Sequence, residues 1–305
     1  MVPLVYIVII NYNNYQDTIE CLESLKKINY KNFKIVIIDN NSSNKSVSKL
    51  EASYKEYKII KLQENIGFAG GNNVGIKEAI DNYAQFVLLL NNDTIVEPNF
   101  LNKMIESFYR NDGSNIGIVG AKIYSYYDKQ LSESAGDIDF FKFITTNDAH
   151  KKKDICNLEK QTNFISGCCM LINKDVFDKV GFLPEEYFMY YEDTDFCVKT
   201  LEEGFKISYN PEAIIYHKIS SSSGGKQSPF SIKWNNRNRI IFMHKYKYKV
   251  SKRKFICSEI YIYSTRLMRV IYYLIKSDKE RAYAVYEGLK EGRKYVQSKY
   301  NNTLL

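Results

Sequence analysis

No window of this 305-residue chain reaches the roughly 18 uncharged apolar residues that a membrane-crossing helix needs. The opening stretch, MVPLVYIVIINYNN, lacks a basic leader region and a small-residue cleavage site, so it reads as a first strand and not as a signal peptide. Six cysteines, Cys21, Cys156, Cys168, Cys169, Cys197 and Cys257, form no C-x-x-C pair, which leaves buried or free thiols in a reducing cytoplasm as their reading. Only three histidines occur. Basic charge is also missing where a nucleic-acid binder would need it. Residues 1–230 hold 25 Lys and Arg against 30 Asp and Glu, whereas residues 231–305 hold 18 against 5. The net charge of +8 therefore comes from the C-terminal stretch, and the body carries no basic surface for a nucleic acid.

What is present is an ordinary globular composition, 45% hydrophobic and 26% charged. The first ninety residues or so alternate strand and helix. LVYIVII (4–10) is an unbroken apolar, β-branched run, as befits a strand covered on both faces. QDTIECLESLKKI (16–28) sets Ile19, Leu22, Leu25 and Ile28 at helical spacing. FKIVIIDN, a serine-capped helix from SNKSVSKLEASY, YKIIKL, a helix through GNNVGIKEAIDNY, and FVLLL follow with short connections. This pattern predicts a parallel, doubly wound α/β sheet, in which ligands sit at the carboxyl ends of the strands. Farther along, NFLNKMIESFYR predicts a helix, IGIVGAKIY a strand, NFISGCCMLINKDVF a strand running into a short helix, and YYEDTDFCVKTLEEG a helix ended by Gly204. FKISYNPEAIIYH reads as two short strands broken at Pro211. Residues 125–160 have no clear period and read as a variable flap, and KISSSSGGKQSP (218–229) as a flexible loop suited to a lid or hinge.

Polar groups gather at the predicted strand ends: Asn11, Tyr12 and Asn13 after the first strand, Asp39 to Ser42 after the second, Asn91-Asn92-Asp93 after FVLLL. ENIGFAGGNNVGI (64–76) has neither G-x-G-x-x-G nor the closing G-K-[ST] of a P-loop, so its glycines signal only a backbone that approaches something closely before a helix. Each cluster has a plain structural reading beside the functional one. Asp39 could be a turn former, NND a turn, and Asp195 a residue placed to suit the helix dipole. Glu192 and Asp193 beneath the aromatic run YFMYY are harder to read as structure alone, because aromatic neighbours exclude water and raise a carboxylate towards general-base values. His217 ends the strand AIIYH just before the Ser/Gly loop, where a closure could occur around a ligand.

Taken in order, VYIVIINYNN, IIDNNSSN, ENIGFAGGNNVGI, FVLLLNNDTIVEP, FISGCCMLINKDVF, the segment VGFLPEEYFMYYEDTDFCVKTLEEGFKISYNPEAIIYH, and KWNNRNRIIFMHK resemble the inverting family 2 glycosyltransferases, above all their bacterial rhamnosyltransferase-like branch. The resemblance runs from residue 4 to about residue 245, some four-fifths of the chain. It implies the GT-A fold, a Rossmann-like, mostly parallel sheet flanked by helices. It also implies transfer of a sugar, rhamnose among the candidates, from a UDP- or dTDP-sugar donor to a saccharide acceptor in cell-surface polysaccharide synthesis. On this resemblance Asp39 holds the pyrimidine with Asn11 and Tyr12 lining the base, and Asn65, with the Gly70, Gly71 and Asn73 turn, holds the nucleotide. Asn92 and Glu192 join the substrate site. Asp93 and His217 hold a divalent metal, Mg²⁺ or Mn²⁺, and Asp193 is the general base. The chemistry agrees, since a divalent cation steadies a diphosphate leaving group without proton transfer, and His as a ligand favours Mn²⁺. The chain departs from the family's acidic D-x-D at Asn91, which lowers the protein's share of metal charge. Residues 125–160 match the branch only loosely, at ESAGDID. Two other readings compete with it. A sugar nucleotidyltransferase would want a Gly- and Arg/Lys-rich signature near its amino terminus, absent here, and a non-catalytic saccharide-binding assembly subunit has no need of Asp39, Asp93, Asp193 and His217 together.

The expected division is a catalytic domain over residues 1–229 and a basic helical extension over 230–305. In the extension, FICSEIYIYSTRLMRVIYYLIKSDKERAYAVYEGLKEGRKY predicts two helices, the first with an apolar, tyrosine-rich surface interrupted by Arg266 and Arg269. A charge at a bilayer centre costs at least ~2.5 kcal/mol, which argues against spanning. Lying in the interface remains open, each basic residue near an anionic leaflet adding ~1 kcal/mol. So do a helical cap on the catalytic domain and a homodimer contact. With membrane contact the acceptor would be a lipid-linked saccharide, and the protein would sit in the cytoplasm, peripheral at the inner face of the cell membrane.

Overall fold

The computed structural model describes residues 2–110, 115–150, 156–218 and 227–301. They belong to two compact units. One comprises Met1–Asp137, Asn147–Phe188 and Glu192–Ser222, the other Ile138–Thr146, Met189–Tyr191 and Ser223–Leu305.

The first unit opens with the expected alternation: β1 (Val5–Asn11), α1 (Tyr15–Leu25), β2 (Phe33–Asp39), α2 (Ser46–Ser53), β3 (Lys58–Lys61), α3 (Gly67–Asp81) and β4 (Phe86–Leu90). It continues through β5 (Thr94–Val96), α4 (Phe100–Arg110), β6 (Ile116–Ser125) and β7 (Leu131–Glu133). After β8 (Ile138–Asp139) and β9 (Ile144–Thr145), which lie in the second unit, it resumes with β10 (Lys160–Thr162), β11 (Cys169–Asn173), α5 (Lys174–Val180), α6 (Glu192–Glu202) and β12 (Lys206–His217). The sheet order is β10-β12-β6-β11-β4-β1-β2-β3. The run β4-β1-β2-β3 is parallel, β12 and β6 are parallel, and β11 is reversed against both β4 and β6. Alternation along β1 explains why the run LVYIVII carries no polar side. Val5, Ile7 and Ile9 pack with Leu22 and Leu25 of α1 on one face, and Tyr6 and Val8 pack with Ile76 and Ala79 of α3 on the other.

Three expectations are corrected. Residues 206–217 form one strand, not two: the register of β12 on β6 shifts between Asn210 and Ile214, and that irregularity accommodates Pro211, which has no N–H to donate. The Gly70–Asn73 turn is the first part of α3, whose Gly71 lets the helix lie against β1, since a Cβ there would stand 3.0 Å from Cδ1 of Ile10. The serines of the second helix do not cap it. Its N-cap position is Lys45, and Asn44 Oδ1 receives the N–H of Ser46 instead. All but the ends of the Ser/Gly segment 218–229 lies outside the described residues.

The second unit is built on α7 (Pro229–Lys245), α8 (Lys252–Ile275) and α9 (Lys279–Val296), together with the β8–β9 pair. Its core is aromatic. The ring of Phe242 lies 4.8 Å from Tyr246 and 5.5 Å from Tyr191, and Phe143 lies 6.4 Å from both Phe242 and Phe255. α9 approaches α7 closely at Gly288, where a Cβ would meet the Lys233 carbonyl oxygen at 2.4 Å. Among the described residues no helix is long and apolar enough to cross a membrane.

Candidate active site

Register places the ends of β1 and β2 side by side, with Asn11 opposite Asp39. Nδ2 of Asn11 donates to Oδ1 of Asp39 at 2.7 Å, and Ser42 donates both its hydroxyl (2.6 Å, to Oδ1) and its N–H (2.9 Å, to Oδ2). Asp39 is only 2% exposed, because the two following loops are tied together above it: Asn13 Oδ1 accepts from the Ser43 N–H, and Asn44 donates to the Asn13 carbonyl. Asn13 and Asn41 take the left-handed backbone conformation that Asn tolerates best. Tyr12 stands out at 38% exposed. Asn40, which the sequence left among turn residues, bridges this region to the start of α3: it donates to Asn65 Oδ1 and the Gly67 carbonyl, and accepts from the Ile66 N–H. Asn73 points elsewhere. Its amide is spent on both backbone groups of Leu183 and on Glu185, fastening α3 to the segment that leads towards the aromatic run.

At the end of β4 the chain turns through Asn91 to Asp93 into β5, a three-residue strand that nothing in the sequence announced. β5 pairs antiparallel with the end of β12, Thr94 opposite His217, and the Lys218 N–H donates to the Asp93 carbonyl at 2.9 Å. This pairing brings His217 Nε2 to 3.1 Å from Asp93 Oδ1, both residues being nearly buried. Asn92 does not face the pair. It donates to Thr18 Oγ1 and the Asn14 carbonyl, and Thr18 in turn donates to Asn11, so one chain of hydrogen bonds joins the ends of β4 and β1. Lys218 was missed by sequence reasoning. Its buried ammonium sits 2.6 Å from Asp17 and 2.8 Å from Glu20. Burial pulls its pKa down, but these two partners outweigh that and hold it above the ordinary lysine value, so a permanent cation follows His217. The Cys21 thiol, 3.7 Å from Thr94 Oγ1, is pushed up to about 12 by burial and stays protonated.

Glu192 and Asp193 open α6. Asp193 is half-buried. Its Oδ2 accepts from the Gly167 N–H at 3.1 Å, its Oδ1 from the Thr194 N–H at 2.7 Å, and burial still raises its pKa despite those donors. Glu133 at the end of β7 adds to that rise, another acid the sequence did not single out. Glu192 is 5% exposed, with an Oε2 that has no hydrogen-bond partner among the described residues, and burial lifts its pKa well above the carboxylate range. Asp195 is structural: wholly buried, it accepts from the Tyr187 hydroxyl and lies 3.3 Å from Lys199. The backbone ahead of this pair is strained, with Phe188, Tyr190 and Tyr191 all at positive φ. Gly67 is required beside it, since it has φ +79° and a Cβ would lie 2.3 Å from the Phe188 carbonyl oxygen. A cavity of about 840 Å³ lies at the other ends of the strands, lined by residues such as Pro3, Tyr30 and Tyr109, and holds none of these groups.

The model of the family "Glycosyl transferase family 2" matches residues 6–181, more than half of the chain. The chain belongs to glycosyl transferase family 2. Curated relatives include the low-salt glycan biosynthesis hexosyltransferase Agl10 of Haloferax volcanii, 27% identical over 68% of this chain and 66% of that protein. The dTDP-rhamnosyl transferase RfbF of Shigella flexneri is 25% identical over 63% of this chain and 62% of its own length. The chain thus spans about two thirds or less of these curated relatives. Among solved structures, the mannosyltransferase PcManGT of Pyrobaculum calidifontis, in complex with GDP-Man and Mn²⁺, superposes with a TM-score of 0.59 at 10% identity, covering 99% of this chain and 88% of that one. At that identity the likeness shows the fold, which is GT-A.

Proposed function

We propose that the protein is an inverting hexosyltransferase that moves a sugar, rhamnose among the candidates, from a UDP- or dTDP-sugar to a saccharide in cell-surface polysaccharide synthesis. The observation that carries the reading is the Asp93–His217 pair, 3.1 Å apart across β5 and β12 at the end of β4. A carboxylate oxygen with an imidazole nitrogen is a donor set that fits Mn²⁺ better than Mg²⁺. A divalent cation bound there would neutralise the charge that builds on a departing diphosphate. The Mn²⁺ of the mannosyltransferase complex and the hexosyl and rhamnosyl names of the relatives support the same class.

The chain's own residues divide the remaining work. Asp39 keeps lone pairs beyond those used by Asn11 and Ser42, enough to accept the ring N–H of a uracil or thymine, and Tyr12 and Asn65 border that place. Gly71 and Asn73 act by setting α3 against β1 and the 183–185 segment, Gly70 by leaving room for Ile66 at the start of α3, and Asn92 by fixing the turn that aims Asp93. Asp193, ionised but with a raised pKa, takes the proton of the acceptor hydroxyl as its oxygen bonds to the anomeric carbon and the bond to the nucleotide diphosphate breaks. A single in-line displacement inverts that carbon. Glu192, whose pKa burial raises well above its ordinary value, would in its protonated form donate to a sugar hydroxyl. The acceptor is a lipid-linked saccharide at the inner face of the cell membrane.

Asp193→Asn should lower turnover by about three orders of magnitude or more while nucleotide-sugar affinity changes less than threefold or so. Release of UDP or dTDP, followed with a panel of nucleotide-sugars and Mn²⁺, measures both. No release with any donor would overturn the transferase assignment, and lost donor binding in the variant would overturn the role given to Asp193.

A further inference from the structure

The sequence interrupts the apolar surface of α8 with Arg266 and Arg269, but the fold takes both off the exposed side. Arg269 donates to Gln227 Oε1 at 3.2 Å and lies over Tyr273, and half-buried Arg266 interacts with Arg239 and Tyr191. Glu259, the only acid on α8, also turns inward, 3.6 Å from His244. What remains outside is a stripe at helical spacing, Ile256, Ile260, Leu267, Ile271 and Leu274, each 47–65% exposed. Met268 at 61% and Tyr272 at 56% widen it. From Phe255 to Ile275 this exposed face bears no charge, over a length of about 30 Å at the helical rise. Exposed Lys252, Arg253 and Lys254 stand at one end of it, and Lys276 and Lys279 at the other.

We propose that this face of α8 docks onto an anionic lipid bilayer, lying in the plane of the interface with its apolar stripe below the headgroups and its two basic ends on lipid phosphates. Charge decides the occupant. A second copy pairing α8 against α8 antiparallel about a twofold axis would set Lys252–Lys254 against Lys276 and Lys279 at both ends, with no acid on the stripe and only exposed Glu280, next to Lys279, to relieve them. A parallel pairing would set each basic end against itself. A negatively charged surface meets both ends favourably, and tyrosine at the edge of an apolar stripe suits the headgroup boundary. The inference stands on the helix surface and does not depend on the transferase reading.

The test uses the full chain without any sugar. Cys257 is exposed while the other five cysteines are buried, so an environment-sensitive dye attached there reports on the face directly. Vesicles of phosphatidylcholine mixed with phosphatidylglycerol should sediment the protein and brighten the dye, and pure phosphatidylcholine should bind it at least ~10-fold more weakly. A variant carrying Ile260→Ser, Leu267→Ser and Ile271→Ser, its fold checked by circular dichroism and thermal melting, should lose binding by ~10-fold or more. The proposal fails if the wild type ignores anionic vesicles or if the triple variant binds them equally. It fails likewise if sedimentation shows only that the substitutions turn a dimer into a monomer with vesicle binding unchanged.

Discussion

Glu192 and Asp193 are adjacent carboxylates with different surroundings, and burial raises the pKa of both, that of Glu192 well above its ordinary value. Asp193 is held by two backbone N–H groups and partly exposed, whereas Glu192 is enclosed, has one oxygen without a partner among the described residues and lies beside the charge of Asp193. Burial first and Asp193 second raise the Glu192 pKa. For an acid raised in the folded state, the unfolded chain loses its proton first. The stability cost is therefore absent below the unfolded value of about 4.3, grows as pH rises through it, and levels off above the folded value. Glu192→Gln should thus gain stability relative to the wild type between pH 5 and pH 8. Thermal melts at the two pH values check this, and a difference independent of pH would mean that Glu192 ionises in the folded protein. The sequence offered both residues to the site, but only the fold shows that one carboxylate is enclosed and the other partly exposed.

At the scale of elements, β5 is only three residues long and lies beside the main strand order, paired with β12, yet it has the largest consequence. It fixes Thr94 against His217, so the Asp93 and His217 side chains meet although 124 positions separate them in the chain. On the proposed reading, two donors from two strands would make a weak metal site alone, and diphosphate oxygens would supply what is missing. Calorimetry should find Mn²⁺ binding at least ~10-fold tighter in the presence of UDP or dTDP than without nucleotide; equal affinities would exclude a site completed by the donor. The start of α3 depends on another element contact. Gly67→Ala places a Cβ against the Phe188 carbonyl at a left-handed backbone position, and should cost roughly 2–4 kcal/mol in urea unfolding. A loss below ~0.5 kcal/mol would show that the 67–68 and 188 backbones can part at little cost.

At the scale of the whole molecule, the two units are interleaved in sequence, because residues 138–146 and 189–191 belong with the C-terminal helices. A cut at residue 229, where composition changes, would strand Phe143 and Tyr191 without the rings of Phe242 and Phe255 that they pack against. The fragment 1–229 should therefore melt well below the full chain and bind hydrophobic dyes such as ANS. Equal melting temperatures would show that the first unit stands without these contacts. Composition marks where the basic helices begin, but it gives no sign that a short hairpin and three aromatic-rich residues far upstream share their core.

The order of strands and helices up to β4, and the polar residues at the strand ends, are written in local pattern. Apolar runs, helical periodicity and turn residues act over a few positions, so the chain alone determines a parallel α/β sheet with Asn11, Asp39 and Asp93 at one edge. The family likeness follows from the same linear motifs. Pairing and enclosure belong to the folded chain. β5 had to meet β12 for Asp93 to reach His217, α3 had to begin at Gly67 for Asn65 and Asn40 to join, and α8 had to turn Arg266 and Arg269 inward before its outer face became free of charge. Each of these depends on contacts between residues far apart in sequence, where the free energy of burial, not local preference, sets which side chains meet.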